Sequence, residues 1–326
     1  MTLEVSGLSK AYGSGADRIQ ALADVSFEVA NGEVVALVGN NGAGKSTLMS
    51  ISAGLLAADR GTVVVQGHET TLGGGSPTHH LGLAPQEEAL YPTLTVRRNL
   101  EYFGRLAGLP RGRLADRVET VAQELLLGDL LDRSARELSG GQRRRLHTAL
   151  ALMHSPEVLL LDEPTVGVDI DARLQLLQFV LDMAAGGAAV LYSTHQMQEV
   201  ERIASRAVVL HHGRVLAVGG VDELVAAHAR RAARLRIAGT GHQLWDSDPD
   251  RLLGVRETPE GDTVLDVATD DGHGSVVDLV DGLPAGMREL VTSVELQEPS
   301  FERAYLALVR EADGVTRPTG TEAVAR

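Results

Sequence analysis

The sequence predicts an α/β fold: a parallel sheet flanked by helices, with a smaller α+β unit after it. Two stretches carry the prediction. Gly39-Asn40-Asn41-Gly42-Ala43-Gly44-Lys45-Ser46-Thr47 lies between a short apolar run, Glu33–Val38, and a helical stretch, Leu48–Leu56. Further on, Val158-Leu159-Leu160-Leu161-Asp162-Glu163-Pro164 is apolar on both faces, as a central parallel strand is, and ends in two carboxylates.

Strand, glycine-rich turn and helix together make a phosphate cradle. Backbone N–H groups of the turn point inward, and the helix N-terminus adds partial positive charge. Gly39, Gly42 and Gly44 let the backbone fold tightly against a polyphosphate. Lys45 can reach its outer phosphates, and the Ser46 hydroxyl suits Mg²⁺, a hard cation that takes oxygen ligands. Lys10 and Lys45 are the only lysines of the chain, so a compact point charge stands where the cradle wants one.

Taken in order, Leu3 and Val5 alternate with polar residues, as in an edge strand. Tyr12 falls on a loop, where an aromatic is most simply a packing residue. Val25–Val29 and Thr62–Val65 read as strands, Asn31-Gly32 as a turn and Gly73–Pro77 as a flexible loop. Leu81–Gln86 is a short strand ending in a polar residue. Residues Leu94–Leu131 are helical in composition, broken at Gly108-Leu109-Pro110.

Leu138-Ser139-Gly140-Gly141-Gln142 opens a helix with Ser139 as its cap, a second ready anion site. Leu146, Ala149, Leu150 and Met153 make its buried stripe, and Arg143, Arg144 and Arg145 read as a solvated face. Asp162 and Glu163 sit at the carboxyl end of a strand, where open α/β sheets place their ligands. Asp162 suits Mg²⁺ and Glu163 suits a base that aligns water. Ala188–Tyr192 is another strand, ended by Ser193-Thr194-His195; a lone histidine there is more often structural than catalytic. Val208–Leu210 and Val215–Ala217 flank a hairpin turn.

After Leu224 the character changes. Ala226–Arg236 reads as a linker. Three strands are expected near Leu235–Ala238, Thr263–Thr269 and Leu290–Leu296. Helices are expected near Asp250, at Ser275–Leu283 and at Ser300–Arg310. The division is therefore 1–226, with a helical subdomain at about 87–155, then 227–312, then a disordered tail over 313–326.

The net charge of −14 over 326 residues argues against a general nucleic-acid binder. The absence of cysteine removes disulfides and thiolate chemistry. Met1-Thr2-Leu3-Glu4 lacks the pattern of a secretory signal, and no apolar run approaches the roughly 18–20 residues of a membrane span.

From Thr2 to Ala226 these stations resemble the nucleotide-binding subunit of an ABC transporter. The fold so implied is the ABC cassette, a phosphate-loop NTPase with a mixed sheet core and a helical signature subdomain. The resemblance implies that ATP binds Gly39–Thr47 with Tyr12 stacked on adenine. It implies that Ser46, Gln86 and Asp162 hold Mg²⁺, and that Glu163, His195, Lys45 and Gln86 carry catalysis. Gln86 would also relay nucleotide state to the membrane subunit. Ser139, Gly140, Gly141 and Gln142 would complete the site of a second subunit, in a head-to-tail and expectedly identical pair. Val166-Gly167-Val168-Asp169 would be the loop that crosses the interface. Asn40 and Ile170 depart from prolines usual in the family, at positions whose side chains the chemistry does not need.

Leu81–Pro110 and the ending Glu298-Pro299-Ser300-Phe301-Glu302-Arg303-Ala304-Tyr305-Leu306 are similar to bacterial and archaeal exporters of drugs, antibiotics, polysaccharides or lipids, and the ending resembles that of the daunorubicin-resistance type of ATPase. Phe301 and Arg303-Ala304 depart from its pattern. The resemblance implies export of a drug, antibiotic, polysaccharide or lipid through a separate ABC-2-type permease, with this chain at the cytoplasmic face of the membrane. The alternative is a soluble ABC ATPase acting on nucleic acid or ribosomes; such proteins carry coiled-coil insertions, zinc cysteines or a second cassette, none of which the sequence shows.

Overall fold

A computed structural model describes residues 2–15, 18–70, 79–239, 252–269, 280, 283 and 285–314. The chain divides into two compact units, Met1–Val221 and Asp222–Arg326.

In the first unit the strands are β1 (Leu3–Tyr12), β2 (Ile19–Val29), β3 (Val34–Val38), β4 (Arg60–Val65), β5 (His68–Glu69), β6 (Leu81–Ala84), β7 (Val158–Asp162), β8 (Ala189–Thr194), β9 (Arg206–His211) and β10 (Arg214–Gly220). The helices are α1 (Lys45–Ser52), α2 (Val96–Leu106), α3 (Arg111–Glu124), α4 (Gly140–Leu152), α5 (Ile170–Ala185) and α6 (Met197–Ile203). Helix α7 (Val221–His228) begins at the boundary.

Strands β9, β3, β8, β7 and β6 lie parallel in that order, and β10 adds an antiparallel edge through the expected hairpin. Every residue of β3, β7 and β8 is buried. Alternation explains how. Leu159, Leu161, Val190 and Tyr192 face a core shared with Leu100, Val118, Leu146 and Val180 of the helices. Val158, Leu160, Leu191 and Val208 face the opposite core, filled by Leu48 and Met49 of α1 and by Leu3, Leu22 and Val63 of a second sheet. That sheet is antiparallel, in the order β2-β1-β4-β5. Strand β1 is therefore an interior strand and not the expected edge; its polar residues alternate because one face is solvated. Tyr12 ends this strand and is not on a loop.

The second unit holds β11 (Ala232–Ile237), β12 (Leu252–Glu257), β13 (Thr263–Ala268), β14 (Val291–Gln297), α8 (Ala285–Arg288) and α9 (Phe301–Ala312). Its antiparallel sheet runs β12-β13-β11-β14. Leu235, Ile237, Leu265 and Val267 form the core face with Leu283 and Met287. The other face carries ion pairs, Arg234 to Asp266 and Arg236 to Asp262, each at 2.9 Å. The sheet has a fourth strand, β12, that the sequence reading lacked. The helix expected near Asp250 falls largely outside the described residues, and Leu252–Glu257 beside it is strand. Gly73–Pro77, most of Ser275–Leu283 and Thr316–Arg326 also lie outside them.

Candidate active site

Strand β3 ends where the glycine-rich turn begins, and the turn runs directly into α1. Two of its glycines are required by space. A Cβ at Gly39 would stand 2.3 Å from the Leu210 carbonyl oxygen, and one at Gly44 would stand 2.4 Å from that of Ala21. Gly44 also has φ 107°, which L-residues avoid. Lys45 opens α1 and is buried. Its Nζ donates to the Gly39 carbonyl at 2.7 Å and to that of Asn40 at 3.3 Å. The loop thus curls around its own ammonium group and aims the charge into the turn. Tyr12 lies beside this loop, 44% exposed, with its hydroxyl 3.4 Å from Thr47 Oγ1.

Strand β7 delivers Asp162 and Glu163, both buried. Ser193 of the neighbouring β8 donates to Asp162 Oδ1, and its Oγ accepts the Glu163 N–H at 3.1 Å. Glu163 adopts φ 49°, a left-handed conformation that is costly for a non-glycine residue. Its side chain faces the glycine-rich turn: Oε1 lies 3.7 Å from Lys45 Nζ, and Oε2 lies 3.3 Å from His195 Nδ1. Lys45, Glu163 and His195 are therefore one cluster assembled from three strand ends. His195 is half exposed, and the segment behind it is pinned by a buried carboxylate. Glu199 accepts from Tyr192 at 2.9 Å and from Thr194 at 2.8 Å. Burial, then the charge of Glu199, pushes the Tyr192 hydroxyl pKa well up, so it stays a donor.

Ser139 caps α4. Its Oγ accepts from the Gln142 N–H at 3.2 Å, and the Gln142 side chain accepts from the Ser139 N–H at 3.0 Å. Gly140 opens the helix, and Gly141 packs so closely that a Cβ would sit 3.3 Å from Val168 Cα. Asp169 caps α5 by accepting the Ala172 N–H at 2.9 Å.

The arginine run after Gln142 departs from the solvated face expected of it. Arg144 is 4% exposed and donates to the carbonyls of Pro85, Gln86, Asp162 and Glu163. Arg145 donates to the Leu125 and Leu126 carbonyls, and Arg143 pairs with Glu88 at 3.1 Å. Gln86 itself is exposed on the bend after β6. Ser193, Glu199 and Arg144 are the site residues that sequence reasoning missed. An arginine repeated on a helix whose opposite face is apolar gives no periodic sign of burial.

The geometry can hold a polyphosphate in the glycine-rich turn and set a carboxylate and an imidazole at its outer end. The ABC transporter family model matches residues 22–166. Linearmycin resistance ATP-binding protein LnrL of Bacillus subtilis (strain 168) is 31% identical over 315 residues, which cover 94% of this chain and 97% of that protein. The chain belongs to the ABC transporter ATP-binding family. This ABC ATPase is also 32% identical over 311 residues to daunorubicin/doxorubicin resistance ATP-binding protein DrrA of Streptomyces peucetius, covering 94% of this chain and 92% of that one. A solved structure of the ATP-binding subunit of an ABC transporter superposes with a TM-score of 0.63 at 32% identity, over 70% of this chain and 93% of that one. The cassette is thus an ATP-binding, ATP-hydrolysing domain. No helix among the described residues is long and apolar enough to cross a membrane.

One buried group of the cassette predicts a pH response. His147 on α4 is 3% exposed. Burial, with Arg144 close by, lowers its pKa from 6.5 to about 4. The unfolded chain takes up that proton first, so stability contributed above pH 6.5 is lost as pH falls toward 4. The loss over that window is about 3 kcal/mol. Chemical denaturation at stepped pH should show it in the wild type, and His147→Leu should lack that part of the decline.

Proposed function

We propose that this ABC ATPase powers export of a drug-like or lipid-like compound through a separate membrane-spanning permease of the ABC-2 type, from the cytoplasmic face of the membrane. The observation that carries the reading is the Lys45–Glu163–His195 cluster at the mouth of the glycine-rich turn. It joins a phosphate-binding cation to a water-polarising carboxylate. The export reading draws on relatives named for linearmycin and daunorubicin/doxorubicin resistance that match nearly the whole chain.

In this reading Gly39–Thr47 wraps the phosphates of ATP, Tyr12 stacks on the base and Lys45 meets the outer phosphates. Ser46, Asp162 and Gln86 offer hydroxyl, carboxylate and amide oxygens, the hard donor set that Mg²⁺ takes. When bound, Mg²⁺ neutralises phosphate charge. Glu163 orients the attacking water, and His195, 3.3 Å from Glu163, steadies the outer phosphate. Phosphoryl transfer of this kind is mostly positioning plus charge stabilisation.

The second half of each site is Ser139 with Gly140, Gly141 and Gln142 of an identical partner chain. Exposed Ile170, 72% accessible beside the Asp169 cap, and Val166 fit a surface that a partner covers. The cassette is taken as residues 1–226, with a helical subdomain at about 87–155, and residues 227–312 as an accessory domain. That domain offers no phosphate cradle or water-activating group among its described residues, so a regulatory or dimer-stabilising role is proposed for it.

The test is reconstitution in vesicles with a candidate membrane-spanning permease of the ABC-2 type. ATP hydrolysis should exceed that of either component alone, and ATP-driven loading of a fluorescent drug such as daunorubicin should follow it. Hydrolysis unchanged by the membrane protein would contradict the transport reading.

A further inference from the structure

Strands β6 and β7 pair in parallel only as far as Ala84 opposite Leu161. Beyond that point the residue following β6 is Pro85, which has no N–H to continue the ladder. The two chains part there, and the residues just past the break are Gln86 on one side and Asp162 and Glu163 on the other. Arg144 fills this gap. One terminal nitrogen donates to the Pro85 carbonyl at 3.0 Å and the Gln86 carbonyl at 2.8 Å. The other donates to the Asp162 carbonyl and to the Glu163 carbonyl at 2.9 Å. A flat guanidinium with two NH₂ ends spans four acceptors in two loops; an ammonium has three donors at a single point.

Such burial is costly. It lowers the pKa of Arg144, and its Nε has no partner among the described residues. Packing alone would be served more cheaply by an apolar side chain. The same end of α4 also grips the loop after β6 through Arg143, which pairs with Glu88 at 3.1 Å.

We propose that Arg144 is a positioning residue for hydrolysis: it fixes Glu163 and Gln86 relative to each other and ties both to the helix that carries Ser139. This rests on the roles proposed above for Glu163 and Gln86. The helix that completes a partner's site thereby holds the water-polarising group of its own chain's site. A shift of the Gln86 loop reaches Glu163 through one side chain.

The experiment is a kinetic cycle on the full chain with Arg144→Met, Arg144→Lys, Glu163→Gln and the double variant Arg144→Met/Glu163→Gln. Fluorescent ATP binding, kcat and thermal melting are read on each. Misplacing a reacting group costs about 100-fold in rate, and Arg144→Met should lose about that much kcat while its ATP affinity stays within about threefold. Arg144→Lys keeps the charge but cannot span both loops, and should recover only part of the loss. In the Glu163→Gln background Arg144→Met should add no further loss, because both changes remove the same function.

Wild-type kcat in a folded Arg144→Met would overturn the proposal. Equal loss of kcat and ATP affinity with no recovery in Arg144→Lys would also overturn it, since that is a structural role alone. Independent, multiplying losses in the double variant would do the same. If Arg144→Met does not fold, Arg144→Lys decides, with lowered kcat at unchanged affinity expected and wild-type kcat contradicting. Wild-type hydrolysis by Glu163→Gln alone would instead sink the underlying role of Glu163, whatever Arg144 does.

Discussion

Glu163→Gln is expected to bind ATP as the wild type does and to hydrolyse it at least about 100-fold more slowly, the scale of a lost general base. The amide has the shape of the carboxylate, so the left-handed turn at residue 163 and its two bonds from the backbone N–H to Ser193 survive. What disappears is the negative charge that faces His195 and Lys45. The Lys45 ammonium keeps its two carbonyl acceptors and stays aimed into the turn. Loss of repulsion between Glu163 and the phosphates should, if anything, favour the nucleotide-bound form, so a long-lived ATP-bound dimer is expected on gel filtration. Wild-type turnover would contradict the assignment.

Lys45→Ala is expected to weaken ATP binding by about 100-fold or more, as removal of a charge-assisted phosphate contact at a desolvated site costs several kcal/mol. The same change leaves the Gly39 and Asn40 carbonyls facing one another without their shared donor. Lys45→Arg should fail as well. Gly39 and Gly44 show that the loop has no room even for a methyl group at either end, and a planar fork is wider than an ammonium. Fluorescent nucleotide titration reads both variants, and normal binding by Lys45→Arg would contradict the cradle geometry.

Parts of this site were legible in the sequence because their chemistry leaves few alternatives. A lysine after three glycines, or two acids closing a fully apolar strand, has little other use. The core strands were legible for a related reason: Val34–Val38 and Val158–Leu161 are apolar without interruption, which only burial on both faces explains. His195 was not legible from its own surroundings. Its place beside Glu163 comes from β8 lying between β3 and β7, a topology that local pattern does not encode. Arg144 was misread because burial of a charge is decided by distant carbonyls. Strand β1 was misread because alternation reports which face is wet and says nothing about neighbours. Strand β12 was missed because Leu252–Glu257 carries a glycine and two charged residues.

The measurement that tests the central claim most directly is complementation between two dead variants. Lys45→Ala spoils a site from the glycine-rich turn, and Ser139→Arg spoils one from the α4 cap. If each site is shared between chains, every homodimer of either variant has two broken sites. In a heterodimer both lesions meet in one site and the other is built from intact halves. Random pairing makes about half of the dimers mixed. Each variant is first shown to fold by melting, and subunit exchange is shown by energy transfer between labelled chains, with the permease present if exchange requires it. The mixture should then trap ATP that neither variant traps alone. No trapping after demonstrated exchange would contradict the account, because Ser139 would not act across the dimer and the site would be complete within one chain.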